Sequence, residues 1–299
     1  MADRATSPLK GSDASRKPDL ILVPQDTQYG PLDWRDVHAL GKMKLQNTKK
    51  ALKKSYTEAA GKTALLLYAQ DGRHSAPCLQ ILGHSIVLTF FDRGGSLSTA
   101  PIDINKHPEE FLRVLIGLTR ASCGHLGFDE TLIWRKDGTK HILILLLEEM
   151  NKVTLKKLIF ISNVLHGRGS TVWCAGLCPM PSELSDPLRQ VVVKDTWINP
   201  LRKFMEGSIL ARLNTAGVKG IPKLIHEQQV QGPHPSCPDL KVNKSTHFIR
   251  TLLPDVDVHP YHVCALSRLI TEPVGQPILE FSSLVELLLA FIDYVLSEC

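Results

Sequence analysis

The chain has 299 residues, 43% of them hydrophobic and 22% charged, a length suited to about two domains at ~150 residues each. This composition excludes whole-chain disorder and the collagen-like, coiled-coil and disulfide-scaffold classes. The formal net charge of +5 is too mild to argue by itself for nucleic acid as a partner. Apolar runs reach six residues, as in Ile142 to Leu147, against roughly 20 needed for a membrane-crossing helix. The N-terminus is polar, without the apolar run of a secretory signal. Seven scattered cysteines, an odd number, fit a reduced intracellular compartment, cytoplasmic or nuclear.

Residues 1–30 are rich in Ser, Asp, Pro and Lys and read as a flexible leader. Through Glu58 there are eleven basic residues against seven acidic ones, so this stretch holds +4 of the net +5. Lys42, Lys44, Lys49, Lys50, Lys53 and Lys54 fall together with no acid between them. They read as a solvated helix face, with a phosphate-binding or nuclear-targeting patch as the sharper alternative. Ala60-Gly61-Lys62-Thr63 echoes the end of a phosphate-binding loop, but Tyr56 stands where the first glycine belongs. Short apolar runs at Thr63 to Tyr68, Cys78 to Leu82 and Ser85 to Phe91, separated by Asp71-Gly72, Gly83 and Asp92-Arg93-Gly94-Gly95, predict an antiparallel meander. A helix is expected from Pro108 to about Arg120, capped by Asn105 or a near neighbour, with Phe111, Val114, Leu115 and Leu118 on one face. Strands are expected at Thr131 to Trp134 and His141 to Leu147. Residues 31–150 thus read as an N-terminal α+β domain.

Residues 151–299 read as a second unit. Strands are expected at Leu158 to Leu165, Val172 to Cys178, Val191 to Lys194, Ile221 to Val230, Phe248 to Leu253 and Ala265 to Thr271. A helix is expected from about Pro200 to Asn214, a loop from Gly232 to Asn243, and a last helix from Leu284 to about Ser297. Cys174-x₃-Cys178 and the loop pair His234 and Cys237 lack partners to complete a tetrahedral zinc site.

One order of features points to chemistry. Gly167 and Gly169 bracket a tight turn, where backbone without side chains can close over a polyphosphate. Lys194 ends a run of three valines, and a lysine in such a setting needs a partner, because an unpaired buried ammonium is costly. Glu206 lies twelve residues later in the expected helix, where it can face the strand and pair with Lys194. The bland alternative is a strand-end lysine and a solvated helix acid.

Gly167-Arg168-Gly169-Ser170-Thr171-Val172-Trp173, Val193-Lys194-Asp195-Thr196-Trp197 and Glu206-Gly207-Ser208-Ile209-Leu210 resemble the small lobe of a protein kinase, and more closely the fungal-type protein kinase family. Phe91-Asp92-Arg93-Gly94-Gly95, Pro101-Ile102-Asp103-Ile104, Pro108 to Arg113 and Leu126-Gly127-Phe128-Asp129 are similar to that family's N-terminal extension. Gly217 to Pro222 resembles the stretch after its first helix, and Glu272 to Pro277 with Glu280-Phe281 its hinge. The resemblance spans about Thr63 to the C-terminus. It implies an α+β chain: an N-terminal α+β domain, then a small lobe of antiparallel strands with one main helix, then the first large-lobe helix. It further implies ATP as cofactor, with Mg²⁺ accompanying it. The residues it assigns to the nucleotide are Gly167, Arg168, Gly169, Ser170, Thr171, Lys194, Glu206, Thr271 and Glu272. Val172 replaces the third loop glycine of a general kinase.

A kinase also needs an Asp and an Asn in an H-R-D-type loop and the Asp of D-F-G. None of these segments occurs in the 299 residues. The expectation is therefore a truncated, inactive member with ancestral Ser/Thr protein phosphorylation activity, with no catalytic or metal-binding residue assigned. A non-catalytic nucleotide- or protein-binding module is one alternative, with a protein partner on the apolar last helix. A basic-patch binder of nucleic acid or phospholipid is the other.

Overall fold

A computed structural model describes residues 2–3, 9–11, 17–25, 32–135, 137–146, 148–179, 189–234, 237–251, 262–277 and 280–297. The chain divides into two compact units. One comprises Met1–Glu130, Ile161–Gly169 and Lys244–Cys264; the other comprises Thr131–Phe160, Ser170–Asn243 and Ala265–Cys299. The first long stretch thus ends at Glu130, not near 150, because the strands just after it belong to the second sheet.

The first unit is built on a sheet in the order β1 (Ala2–Asp3), β2 (Leu20–Leu22), β3 (Ala39–Lys44), β4 (Ala76–Leu82), β5 (Ser85–Asp92), β6 (Gly95–Ser98), with β7 (Ile102–Asp103) also on β5. β3 and β4 run parallel, which requires a crossover. Helix α1 (Lys49–Ala69) supplies it, starting where the Thr48 side chain accepts the Ala51 N–H at 3.1 Å. Thr63 to Tyr68, expected as a strand, is the last part of this helix. A short apolar run does not reveal its period, and here Ala59, Thr63, Leu66 and Leu67 form the buried helical stripe. Leu20–Leu22 lies in the stretch expected to be a leader, yet it is a paired strand with Ile21 fully buried.

Side chains alternate across this sheet. Leu40, Cys78 and Phe91 pack with Trp34 and Leu66 of α1 on one face. Ala39, Leu79 and Ile86 pack on the other against helix α2 (Pro108–Arg120) through Phe111, Val114, Leu115 and Leu118, the face its spacing predicts. Burial pushes the Cys78 thiol up to about 12. It is a packing group, because a thiol that keeps its proton is a poor nucleophile.

The basic cluster divides. Lys42 and Lys44 sit on β3, not on a solvated helix face. Lys42 meets Asp19 and Glu58 at 2.8 Å, and Lys44 meets Glu58 at 2.9 Å. Lys62, in the interior of α1, is buried and reaches Asp19 at 3.5 Å. Ala60-Gly61-Lys62-Thr63 is therefore mid-helix and forms no phosphate loop.

The second unit carries a sheet in the order β13 (Lys223–Gln229), β16 (Ala265–Glu272), β12 (Arg189–Ile198), β11 (Thr171–Pro179), β10 (Glu149–Ile161), β9 (Lys140–Leu146), β8 (Ile133–Trp134). Ile142, Ile144, Val153, Trp173, Ala175, Val191, Val193 and Ile270 share its buried face. Helix α3 (Glu206–Thr215) starts later than expected, because residues 199–202 form a turn closed by the Arg202 N–H on the Asn199 carbonyl. Gly232 to Asn243, expected as a loop, holds the hairpin β14 (Gln231–His234) and β15 (Cys237–Asn243). In the first unit, Phe248 to Thr251 is not a strand but part of helix α4 (Thr246–Thr251); the rest of that expected strand, Leu252 and Leu253, lies outside the described residues. Helix α5 (Leu284–Ser297) lies where expected.

Asp19 and Glu58 give the first unit an acid-sensitive joint. Burial raises both carboxyls, but hydrogen bonds from Lys42 and the surrounding lysine charges outweigh it and hold both below their ordinary values of 3.8 and 4.5. A depressed carboxyl contributes stability above its unfolded value and loses it as pH falls through the native one. Urea unfolding from neutral pH down to about pH 3 should therefore show falling stability. In Asp19→Asn/Glu58→Gln the fall should be shallower by about 1 kcal/mol.

Candidate functional site

β12 presents two unlike faces. Val191 and Val193 are buried in the core, while Val192 and Lys194 point to the opposite side. Lys194 is therefore not buried, as its valine run suggested, but 31% exposed. Its Nζ lies 2.7 and 2.8 Å from the two oxygens of Glu206. An ammonium has three donors, so this carboxylate occupies two of them.

Glu206 opens α3, where the positive end of the helix favours an acid. The entry is fixed from β13: the Gly207 N–H donates to Glu227 Oε1 at 3.1 Å. A Cβ on Gly207 would lie 2.4 Å from Glu227 Oε2 and 2.9 Å from Glu227 Cβ, so this approach requires glycine. The helix has no side-chain cap of its own. Glu227 supplies what the sequence around Met205 lacks.

Ser170 and Thr171 lead into β11. Thr171 is opposite Asp195 and Val172 opposite Lys194, and Ser170 Oγ lies 2.5 Å from Thr196 Oγ1. Thr271 is paired on both sides, with Val192 and with Leu224. The Glu272 side chain is taken by Arg189 and reached by Lys223 at 3.7 Å. The Arg189 hydrogen bond is the main reason its carboxyl lies below the usual range. Glu272 is thus committed to ion pairs, and the first peptide outside the ladder is the one that follows it.

Gly167, Arg168 and Gly169 belong to the first unit. Gly167 has φ +104° and Gly169 φ +47°, both in the region that favours glycine. The Gly167 N–H donates to the Arg93 carbonyl at 3.0 Å, and Arg168 is exposed.

One pair escaped sequence reasoning. Asp195 and Arg268 face each other across β12 and β16. Both Asp195 oxygens accept from the Arg268 guanidinium at 2.7 Å, and Arg268 is 1% exposed. The available signal was an acid and a base inside otherwise apolar strand runs, each needing an opposite charge once buried.

The chain was compared with known proteins. The family model for fungal protein kinase matches residues 17–297. The chain belongs to the fungal protein kinase family. The comparisons with curated proteins and with solved structures give no match. Counting β10 as the strand before the glycine turn, Lys194 stands on the third strand and Glu206 at the start of the helix that follows. The α+β architecture agrees with the expected fold class. Among the described residues no helix is long and apolar enough to cross a membrane.

The buried pair of this sheet should dominate its stability. Asp195→Ala should cost about 3–5 kcal/mol in urea unfolding, because it strands the arginine, while Asp195→Leu with Arg268→Leu should recover much of that loss.

Proposed function

We propose that residues 1–299 carry the nucleotide-holding part of a Ser/Thr protein kinase, and that this polypeptide binds Mg-ATP without transferring its phosphoryl group. The observation that carries the reading is the Lys194–Glu206 pair, with both carboxylate oxygens on one ammonium that stays partly open to solvent. That geometry fits a polyphosphate: the glutamate orients the lysine and leaves one N–H donor for a phosphate oxygen. ATP, when bound, supplies the phosphoryl group and brings Mg²⁺ with it. In this reading the backbone of Gly167 to Thr171 lies over the phosphates, and the peptide around Thr271 and Glu272 holds the base. No residue is assigned to the metal or to the acceptor hydroxyl, because His-Arg-Asp with a following Asn, and Asp-Phe-Gly, do not occur among the 299 residues. Without positioned metal and acceptor, most of the catalysis of phosphoryl transfer is missing.

We further assign a protein-binding role to α5. Leu284, Val285, Leu288, Leu289, Phe291 and Ile292 are each at least 51% exposed, a patch of the kind that marks an interaction surface. Of the basic cluster, Lys42 and Lys44 are paired with Asp19 and Glu58, so the basic-patch reading rests on Lys49, Lys50, Lys53 and Lys54, which stay exposed on α1.

Thermal unfolding with and without Mg-ATP tests the nucleotide reading. At 100 times its dissociation constant, a ligand adds about 2.7 kcal/mol. The parent should shift upward, whereas Lys194→Ala should keep its own transition and lose the shift. A parent with a cooperative transition and no shift would sink the reading. Release of radiolabelled phosphate, or its transfer to a Ser/Thr peptide, should stay at background.

A further inference from the structure

The hairpin turn between β5 and β6, Asp92-Arg93-Gly94-Gly95, gathers two distant stretches of chain within the first unit. Asp92 is buried and accepts from the Arg250 guanidinium with both oxygens, from Nη1 at 2.5 Å and from Nη2 at 3.1 Å. It also accepts the Gly94 N–H at 2.9 Å. A Cβ on Gly94 would lie 2.5 Å from the His262 carbonyl oxygen, so the turn is enclosed on that side. On the other side is the segment that contains Gly167 and Gly169.

Arg93 makes that second contact. It is 2% exposed. Its Nη1 donates to the carbonyls of Val164 and Leu165, and its own carbonyl accepts the Gly167 N–H at 3.0 Å. Gly169 sits against the guanidinium: a Cβ there would lie 2.3 Å from Nε, 2.5 Å from Cζ and 2.7 Å from Cδ. Nε is buried without a partner among the described residues. No carboxylate lies within ion-pair distance of Arg93 among the described residues, unlike Arg250 and Arg268. Burial lowers its pKa to about 10. A cation buried against carbonyl dipoles alone is an expensive way to hold a loop. The hydrogen bonds that Arg93 donates go to the carbonyls of Val164 and Leu165.

We propose that Arg93 is a positioning residue: it clamps the segment 164–169 and thereby sets the shape of the turn that holds Gly167 and Gly169. This rests on the reading of that turn as the phosphate loop. The glycines then have separate duties. Gly169 is small so that Arg93 can lie against it. Gly167 has nothing within 4 Å of a Cβ and takes a backbone angle few other residues tolerate.

The test uses the full 299-residue chain. Arg93→Met keeps the apolar stem, removes the donors and the buried charge, and leaves the loop carbonyls to be solvated. Arg93→Lys keeps a cation that can reach the same carbonyls. Hydrogen exchange without nucleotide should show faster exchange at residues 164–170 in Arg93→Met, with α1 and β12 unchanged, and rates near the parent in Arg93→Lys. Calorimetric titration with Mg-ATP should show affinity lowered about tenfold in Arg93→Met, as expected from losing hydrogen bonds to a charged group, and largely restored in Arg93→Lys. Parent-like loop exchange in a cooperatively folded Arg93→Met would overturn the clamp. Faster loop exchange with unchanged Mg-ATP affinity would overturn the positioning role. If the parent itself fails to bind Mg-ATP, the nucleotide reading and the positioning role fall together, while the exchange measurement still decides the clamp. If Arg93→Met does not fold, Gly169→Ala, which pushes against the same guanidinium, must raise exchange in the loop, and failure to do so would overturn the clamp.

Discussion

An arginine removed from water must find oxygens, and each unit is organised around one that has found a carboxylate. In the first, Arg250 closes on Asp92 at the β5–β6 turn. In the second, Arg268 closes on Asp195 across the centre of the sheet. Breaking such a pair leaves an uncompensated buried charge, so each pair restricts the arrangements its surroundings can adopt. At Asp92 the restriction holds Arg250, and with it helix α4, to the β5–β6 turn. At Asp195 it fixes the register between β12 and β16, on which the position of Lys194 depends.

That register has a consequence for the site. Because side chains alternate along a strand, holding Val191, Val193 and Asp195 inward forces Val192 and Lys194 outward. Lys194 therefore reaches the face where α3 begins, and Glu206 meets it there. The glutamate is held in turn by Gly207, which admits the Glu227 carboxylate to the helix start. Lys194 is thus positioned by a chain of contacts, from the buried arginine through the strand register to the helix entry.

The Lys194–Glu206 pairing was legible before the structure. The spacing of Gly167, Gly169, Lys194 and Glu206 and the capacity of Lys194 to pair with Glu206 follow from residue type and order. The helix Pro108–Arg120 and the helix Leu284–Ser297 were legible too, since apolar spacing and length left little choice. Other parts were not. Thr63 to Tyr68 reads equally well as strand or helix until its packing against Ile21 and Trp34 decides. Phe248 to Thr251 is helical, and Arg250 within it is fixed by Asp92, 158 positions away. The ion pairs of the Glu272 side chain with Arg189 and Lys223 join positions far apart in the chain, and no local spacing announces them.

The sequence by itself determined the family, the fold class, the capacity of Lys194 to pair with Glu206, and the presence of glycine where the backbone needs positive φ. These are properties of residue type and local order, and they survive any arrangement of the chain. Tertiary structure alone decided which charges meet. Lys42 with Glu58, Arg268 with Asp195 and Arg93 with the loop 164–169 are pairings between distant positions. Their cause is the cost of leaving a buried charge or donor unmatched, a cost that appears only once the chain has folded around it.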